Sequence, residues 1–398
     1  MPISGSNGGV YRSASDSRGS DINIVKLWQQ ICDNQSNNID LYSILAPFAQ
    51  PRQVEIGIGN TCGLTCQHCF LGYPSGTLHQ PLTPLPTLIN ATTTLVKTLR
   101  TQIVCVADRD AFVPKRSIPY FIHLSTLRQH HPHLKFGGVT NGLTLHQYIP
   151  DLIPLQLNYL DISIDGLKAE HEQLRGIGTF KAVLTNLRQA LQHQIATRIF
   201  VSTTLTQANL TSALELIPQL SQTEGVQWFN LSPLMAVKLQ NQQLQPSYFA
   251  QFLDRLTQRL SPLRHHQLVN VLVDIPAYSM ALLHSLLTAG WLTIEDLHQD
   301  SYGNLYQDVA INSTTTLTLR PELLQKDWWQ RLRISADGDV LGGCEALTQG
   351  NYSQFALGNI QLEPITAIYA RATQTSSPFH QMMSAYSGNS PLPLKGKR

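Results

Sequence analysis

Three cysteines, Cys62, Cys66 and Cys69, share one short stretch with the spacing C-x3-C-x2-C. Three thiolates so placed can hold three irons of a cubane iron–sulfur cluster. The fourth iron then lacks a protein ligand, and chemistry at a metal needs such an open position, as catalytic zinc sites illustrate. A structural site would normally close its coordination instead. Zinc is the competing occupant: Cys66-x2-Cys69 is half of a zinc site, which His68 or His79 could complete. A zinc ribbon requires a second C-x2-C pair, and the remaining cysteines, Cys32, Cys105 and Cys344, stand singly. Gly57-x-Gly59 hints at a dinucleotide loop, yet the third glycine of that fingerprint falls on Cys62. A chain of 398 residues can build a core without a disulfide framework.

The elements that position these cysteines follow from the hydrophobic pattern. Strands are predicted at 53–59, 103–108, 135–140, 159–165, 198–205 and 226–231, with helices near 84–99, 118–130, 145–153, 179–192 and 211–220. Short, apolar, β-branched strands alternating with helices predict a parallel sheet with crossover helices. In parallel barrels the reactive side chains gather at the C-terminal strand ends. The cysteines follow the first strand. Asp108 and Asp110 follow the second, Asn141 the third, and Ser163 and Asp165 the fourth, while Ser202 and Thr204 end the fifth. Farther on, Phe249, Phe252, Leu256 and Leu260 form one stripe of a helix at 248–263, which predicts core. A second apolar helix is predicted at 277–289, and Asp337-Gly338 between alternating apolar residues predicts a hairpin.

Composition narrows the class. Hydrophobic residues make up 42%, as in a globular protein, but charged residues only 14%, well under the usual share. The net charge of +2 comes without a long basic run, so nucleic acid is not an expected partner. No apolar stretch approaches the roughly 18 residues of a membrane span. The polar, Ser- and Gly-rich start lacks the apolar segment of a secretory signal. Unpaired thiols and an oxygen-sensitive cluster suit a reducing cytoplasm.

The cysteine spacing, set just after an apolar strand, resembles that of the radical S-adenosylmethionine (SAM) enzymes. Six strand–helix units over about 51–236 resemble the partial (β/α)6 TIM-like barrel of that family. The resemblance implies one 4Fe–4S cluster on Cys62, Cys66 and Cys69, its open iron chelating the amine and carboxylate of SAM. It implies reductive cleavage of SAM to a 5′-deoxyadenosyl radical, which abstracts a hydrogen atom from a substrate. His68 holds the place of an aromatic or flat residue that packs near the adenine.

Asp161-Ile-Ser-Ile-Asp-Gly166, with His171, Arg175-Gly176 and Gly178-Thr-Phe180 beyond, is similar to a second family region. By that likeness Ser163, Asp165 and Arg175 are SAM-side candidates; capping of a surface helix is the alternative role for Arg175. Ser202 could reach ribose hydroxyls. Thr140-Asn141-Gly142 resembles the strand ending common in peptide-modifying members, and is also a good turn. The family's Gly-Gly-Glu-Pro-like turn is missing: the chain reads Val106-Ala-Asp-Arg-Asp110, whose Asp108 and Asp110 could face an ammonium or merely cap a helix.

Arg331 to Cys344, with Leu357-Gly-Asn-Ile360, resembles the opening of a SPASM or twitch extension, but no cysteine follows Cys344. A degenerate α+β extension without an auxiliary cluster is therefore expected. Cys344 is then either a buried small hydrophobe or a hydrogen-atom donor to a substrate radical.

The expected organisation is a disordered N-terminus and helical preamble over 1–50, the barrel over 51–236, the cysteine-poor extension over 237–373 and a flexible tail over 374–398. The expected activity is oxidoreductase- or lyase-type chemistry on a ribosomally made precursor peptide: epimerisation, crosslinking or splicease-type excision. A separate leader-binding protein and an electron donor such as ferredoxin or flavodoxin are the implied partners. Rival readings are a radical SAM enzyme on a sugar or amino acid, and a non-catalytic iron–sulfur or zinc scaffold.

Overall fold

The computed structural model describes residues 50–69, 81–234, 243–263, 267–275, 280–300, 304–321, 331–342 and 356–372. The chain opens with β1 (Gln53–Gly57), α1 (Leu85–Lys97), β2 (Ile103–Ala107), α2 (Ser117–His130) and β3 (Lys135–Thr140). Short helical turns over 145–155 lead to β4 (Leu157–Ser163), α3 (Lys168–Arg175), α4 (Thr179–His193), β5 (Ala196–Leu205), α5 (Leu210–Thr223) and β6 (Trp228–Pro233). There follow α6 (Pro246–Leu260), β7 (Val269–Ile275), α7 (Met280–Thr288), β8 (His298–Gln299), β9 (Leu305–Ala310) and β10 (Thr315–Pro321). Last come β11 (Arg331–Ile334), β12 (Asp339–Gly342), β13 (Gly358–Asn359) and α8 (Ile365–Ala372).

Strands β1 to β7 lie side by side in chain order, and all of these pairs are parallel. The run Ile-Val-Cys-Val-Ala of β2 is buried throughout, as a parallel strand covered on both faces should be. Its alternate residues divide between two cores. Val104 and Val106 join Val54, Ile56 and the helices in the main core. Ile103, Cys105 and Ala107 meet Tyr159, Phe200 and Leu272 on the other face, in a cluster of strand residues. The helices are amphipathic at helical spacing: α1 buries Leu88, Ala91, Thr92, Leu95 and Val96. In α6 the stripe of Phe249, Phe252, Leu256 and Leu260 is buried as its spacing predicts.

Mixed α/β architecture with a parallel core and added antiparallel strands is the fold class that the sequence predicts. The later strands are woven into the same sheet at both of its edges. Beside β7 lies β10, parallel, then β9 and β8. Beside β1 lies β11, parallel, then β12 and β13 in antiparallel pairing. The hairpin expected at Asp337-Gly338 joins β11 to β12, with Gly338 at a φ of 94°.

Sequence reasoning did not foresee β7, β9 and β10. Their alternation is plain once seen: Thr315–Pro321 reads buried, half-buried, buried along its length. The helix expected at 145–153 is broken into short turns, two of them with a proline in the first turn. Cys32, His79, Cys344, the N-terminal preamble and the tail lie outside the described residues.

Candidate active site

The cysteine loop leaves β1 and passes over the C-terminal ends of β3 and β4. Cys62, Cys66 and Cys69 are all partly buried. Burial is the main cause that pushes the Cys66 thiol up to about 11, opposed by the Arg175 charge and reinforced by Cys62 and Cys69. Burial likewise raises Cys62, against a hydrogen bond from Asn141. Cys66 lies near enough to Cys62 and Cys69 for their thiolates to repel its own, and a multivalent metal group that took the three as thiolates would relieve that repulsion. Among the described residues, no three His, Cys, Asp or Glu side chains are grouped to hold one metal ion.

Asn141 ties the loop to β3. Its Nδ2 donates to the Cys62 carbonyl at 2.7 Å and lies 3.3 Å from the Cys62 sulfur. Asn141 is itself fixed by Asp110, whose carboxylate accepts from the Asn141 N–H at 2.8 Å, the Phe112 N–H at 2.8 Å and the Thr140 hydroxyl at 3.0 Å. Burial pushes the Asp110 carboxyl up to about 6 against these hydrogen bonds. Arg116 closes the loop's base, its Nε donating to the Ile58 carbonyl at 2.5 Å and its terminal nitrogen to the Thr83 carbonyl at 2.6 Å.

Asp165 ties the loop to β4. One oxygen of this fully buried carboxylate receives Arg175 Nε at 2.5 Å and His68 Nε2 at 3.0 Å; the other accepts the Thr204 N–H at 2.8 Å. Burial alone would raise its pKa, but the charges of Arg175 and His68 hold it far below the usual carboxylate range. His171 accepts the Asp165 N–H on Nδ1 at 3.1 Å, and Asn209 donates to the Asp165 carbonyl at 3.0 Å. Next to His68, the Gln67 N–H donates to the Leu174 carbonyl at 3.0 Å.

The residues picked from sequence thus fall into groups. Cys62, Asn141 and Asp110 form one chain of contacts, and His68, Asp165 and Arg175 another. Ser163 stands opposite Ser202 across β4 and β5, and Ser202 donates to Asp161 at 2.8 Å. Asp108 turns away to Arg333 of β11, which bridges it at 2.9 Å and Glu55 at 2.8 Å. Asp108 adopts a φ of 88°, a region that favours glycine, at the place where the resembling family carries glycines.

Sequence reasoning missed Arg116, Arg333 and Asn209, whose partners lie far along the chain. It also missed the polar ring of Asp161, Asn230, Ser232, Asp274 and Arg320. There Arg320 pairs with Asp274 at 2.5 Å and donates to Asn230 at 3.0 Å, and Ser232 donates to Asp274 at 2.8 Å. The period-two pattern of the strands was the signal available for that ring.

No protein-family model matches the chain. No curated protein matches it either. Solved structures do. Streptococcus suis SuiB bound to precursor peptide SuiA superposes with a TM-score of 0.62 at 12% identity, over 94% of this chain and 75% of that one. The anSMEcpe protein with bound AdoMet (SAM) gives 0.53 at 15% identity, over 85% of this chain and 84% of that one. The same protein with AdoMet and the Cp18Cys peptide gives 0.51 at 16% identity, over 84% and 83%. The fold is therefore a parallel-sheet core like the radical SAM partial barrels, extended by antiparallel strands, and the likeness runs over most of the chain.

Proposed function

We propose that this chain is a radical SAM enzyme that acts on a ribosomally made precursor peptide. The observation that carries the first part is the seating of Cys62, Cys66 and Cys69 at the C-terminal ends of β3 and β4, bound there through Asn141 and Asp165. A lone zinc ion draws its donors to one point, whereas a cubane places each thiolate on a separate iron. The C-x3-C-x2-C spacing agrees better with the second. When bound, a 4Fe–4S cluster and SAM supply reductive cleavage to a 5′-deoxyadenosyl radical and hydrogen-atom abstraction.

The chain's own residues hold and orient. Cys62, Cys66 and Cys69 are the iron ligands. Arg175, whose Nε is spent on Asp165, offers the rest of its fork to the SAM carboxylate. His68, Ser163 and Ser202 line the cofactor side. Asp110 and Asn141 shape the loop. The peptide substrate is supported by the bound peptides of the similar structures, SuiA on SuiB and Cp18Cys on anSMEcpe. A ferredoxin or flavodoxin donor in a reducing cytoplasm completes the reading.

Anaerobic reconstitution, iron and sulfide analysis and measurement of 5′-deoxyadenosine test it. The expected result is one 4Fe–4S cluster and reductant-dependent SAM cleavage, abolished in Cys66→Ala. Bound zinc, or a cluster that never yields 5′-deoxyadenosine, overturns it.

A further inference from the structure

The ring between Cys66 and Cys69 raises a question of its own. A flat apolar side chain would pack there and ask for nothing further. Here the position holds His68, 6% exposed, with Nε2 on Asp165 and Nδ1 buried without a hydrogen-bond partner. An unsatisfied buried nitrogen weakens the fold. Packing therefore does not account for the imidazole; its bond through Nε2 does.

Asp165 is a rigid post for that bond. Its backbone N–H, its carbonyl and both carboxylate oxygens are engaged by His171, Asn209, Thr204, Arg175 and His68. Of these partners, His68 alone belongs to the cysteine loop. The adjoining tie from Gln67 to Leu174 docks the same stretch on the end of α3. His68 and Arg175 share one oxygen, Asp165 Oδ2. The carboxylate that places Arg175 therefore also places the loop segment carrying Cys66 and Cys69.

We propose that His68 is a positioning residue, a latch through Asp165 that keeps the cysteine loop in register with Arg175 so that SAM can be gripped by the cluster and the guanidinium together. The inference rests on the radical SAM reading above. It says that the latch serves SAM binding, whereas holding the cluster falls to the cysteines.

The test uses the full chain, reconstituted without oxygen and reduced. Electron paramagnetic resonance of the cluster is recorded with increasing SAM for the wild type, His68→Phe and His68→Gln. Phenylalanine keeps a flat ring without the donor, and the glutamine amide can donate near the place of Nε2. In His68→Phe, iron content should stay at the wild-type level while SAM affinity, read from the spectral change, falls about tenfold or more. His68→Gln should recover most of it. Wild-type affinity in His68→Phe, or equal losses in both variants, overturns the latch and leaves the radical SAM reading standing. A wild-type cluster indifferent to SAM overturns that reading and the latch together. If His68→Phe takes up no iron, hydrogen exchange of the 62–69 amides in the metal-free proteins decides. Faster exchange in His68→Phe than in His68→Gln supports the latch; equal exchange overturns it.

Discussion

At the scale of single residues, the cysteine triplet was legible because ligand spacing within one loop is a local property. Asp165, Arg175 and Asn141 could be picked out from their strand ends, but what they touch could not. Asp110 illustrates the limit: its position after β2 leaves open an ammonium partner, whereas its oxygens take up two backbone N–H groups and a hydroxyl. Asp161 opens the run that carries Ser163 and Asp165, yet its own partners, far along the chain, could not be read from that run. It lies beside Ser202, and Arg320 and Asp274 also act on its charge. Burial pushes its carboxyl from 3.8 up to about 6, with Asp274 adding to the rise and Ser202 and Arg320 opposing it.

A raised folded-state pKa means that the protonated form is favoured by folding. The contribution to stability is complete below the unfolded value and is lost as pH rises through about 6. Replacing the carboxyl by an amide removes the penalty of ionisation and keeps an oxygen to accept from Ser202. Asp161→Asn should therefore gain on the wild type as pH rises from about 4 to about 7, by about 1.4 kcal/mol for each unit of pKa shift. Urea unfolding of both proteins across that range measures it. A stability difference that does not vary with pH would refute the assignment.

At the scale of elements, the six strand–helix units could be read from sequence because each parallel strand carries its own apolar run. Strands β7, β9 and β10 were missed because polar residues such as Asn270, Asp274, Asp308, Thr318 and Arg320 interrupt such runs. The pairing of β11 with β1 was beyond reach, since its partner lies far away in the chain. That pairing supplies a side chain that the barrel alone lacks. Arg333 is 2% exposed and spans from β11 over Glu55 of β1 to Asp108 at the end of β2. The backbone strain of Asp108, at a φ of 88°, is thus held by an ion pair where glycine would need no support. Gly57 shows how tightly these three strand ends meet: an added Cβ would lie 2.5 Å from Asp108 Oδ2 and 2.7 Å from the Ala336 nitrogen. Arg333→Met keeps the length of the side chain but leaves two carboxylates without their shared cation. It should cost about 3 kcal/mol or more in chemical denaturation, as removing one partner of a buried ion pair does. A loss below about 1 kcal/mol would show that the triad is exposed to solvent in practice.

At the scale of the whole molecule, the sheet order decides what the C-terminal third is for. A separate domain would leave the edges of the core to themselves. Here β10 adds to the β7 edge, and the next described strand, β11, adds to β1 at the opposite edge. Both edges of the parallel core are therefore covered by strands that come late in the chain. The cysteine loop feels this directly, because it leaves from β1, and the Thr83 N–H beyond it donates to the Ala336 carbonyl at 2.9 Å. Ending the chain after Pro321 would strip β11, β12 and β13 from β1 and bare its row of backbone donors and acceptors. Glu55 and Asp108 would also lose their bridge to Arg333. The shortened protein should aggregate or unfold at markedly lower urea than the full chain, with the loss reaching β1 and β2 rather than stopping at the missing strands. Hydrogen exchange over 53–57 and 103–107 reads this out strand by strand. Full-length protection there would mean that the core is closed without its extension, and that the cysteine loop owes nothing to β11.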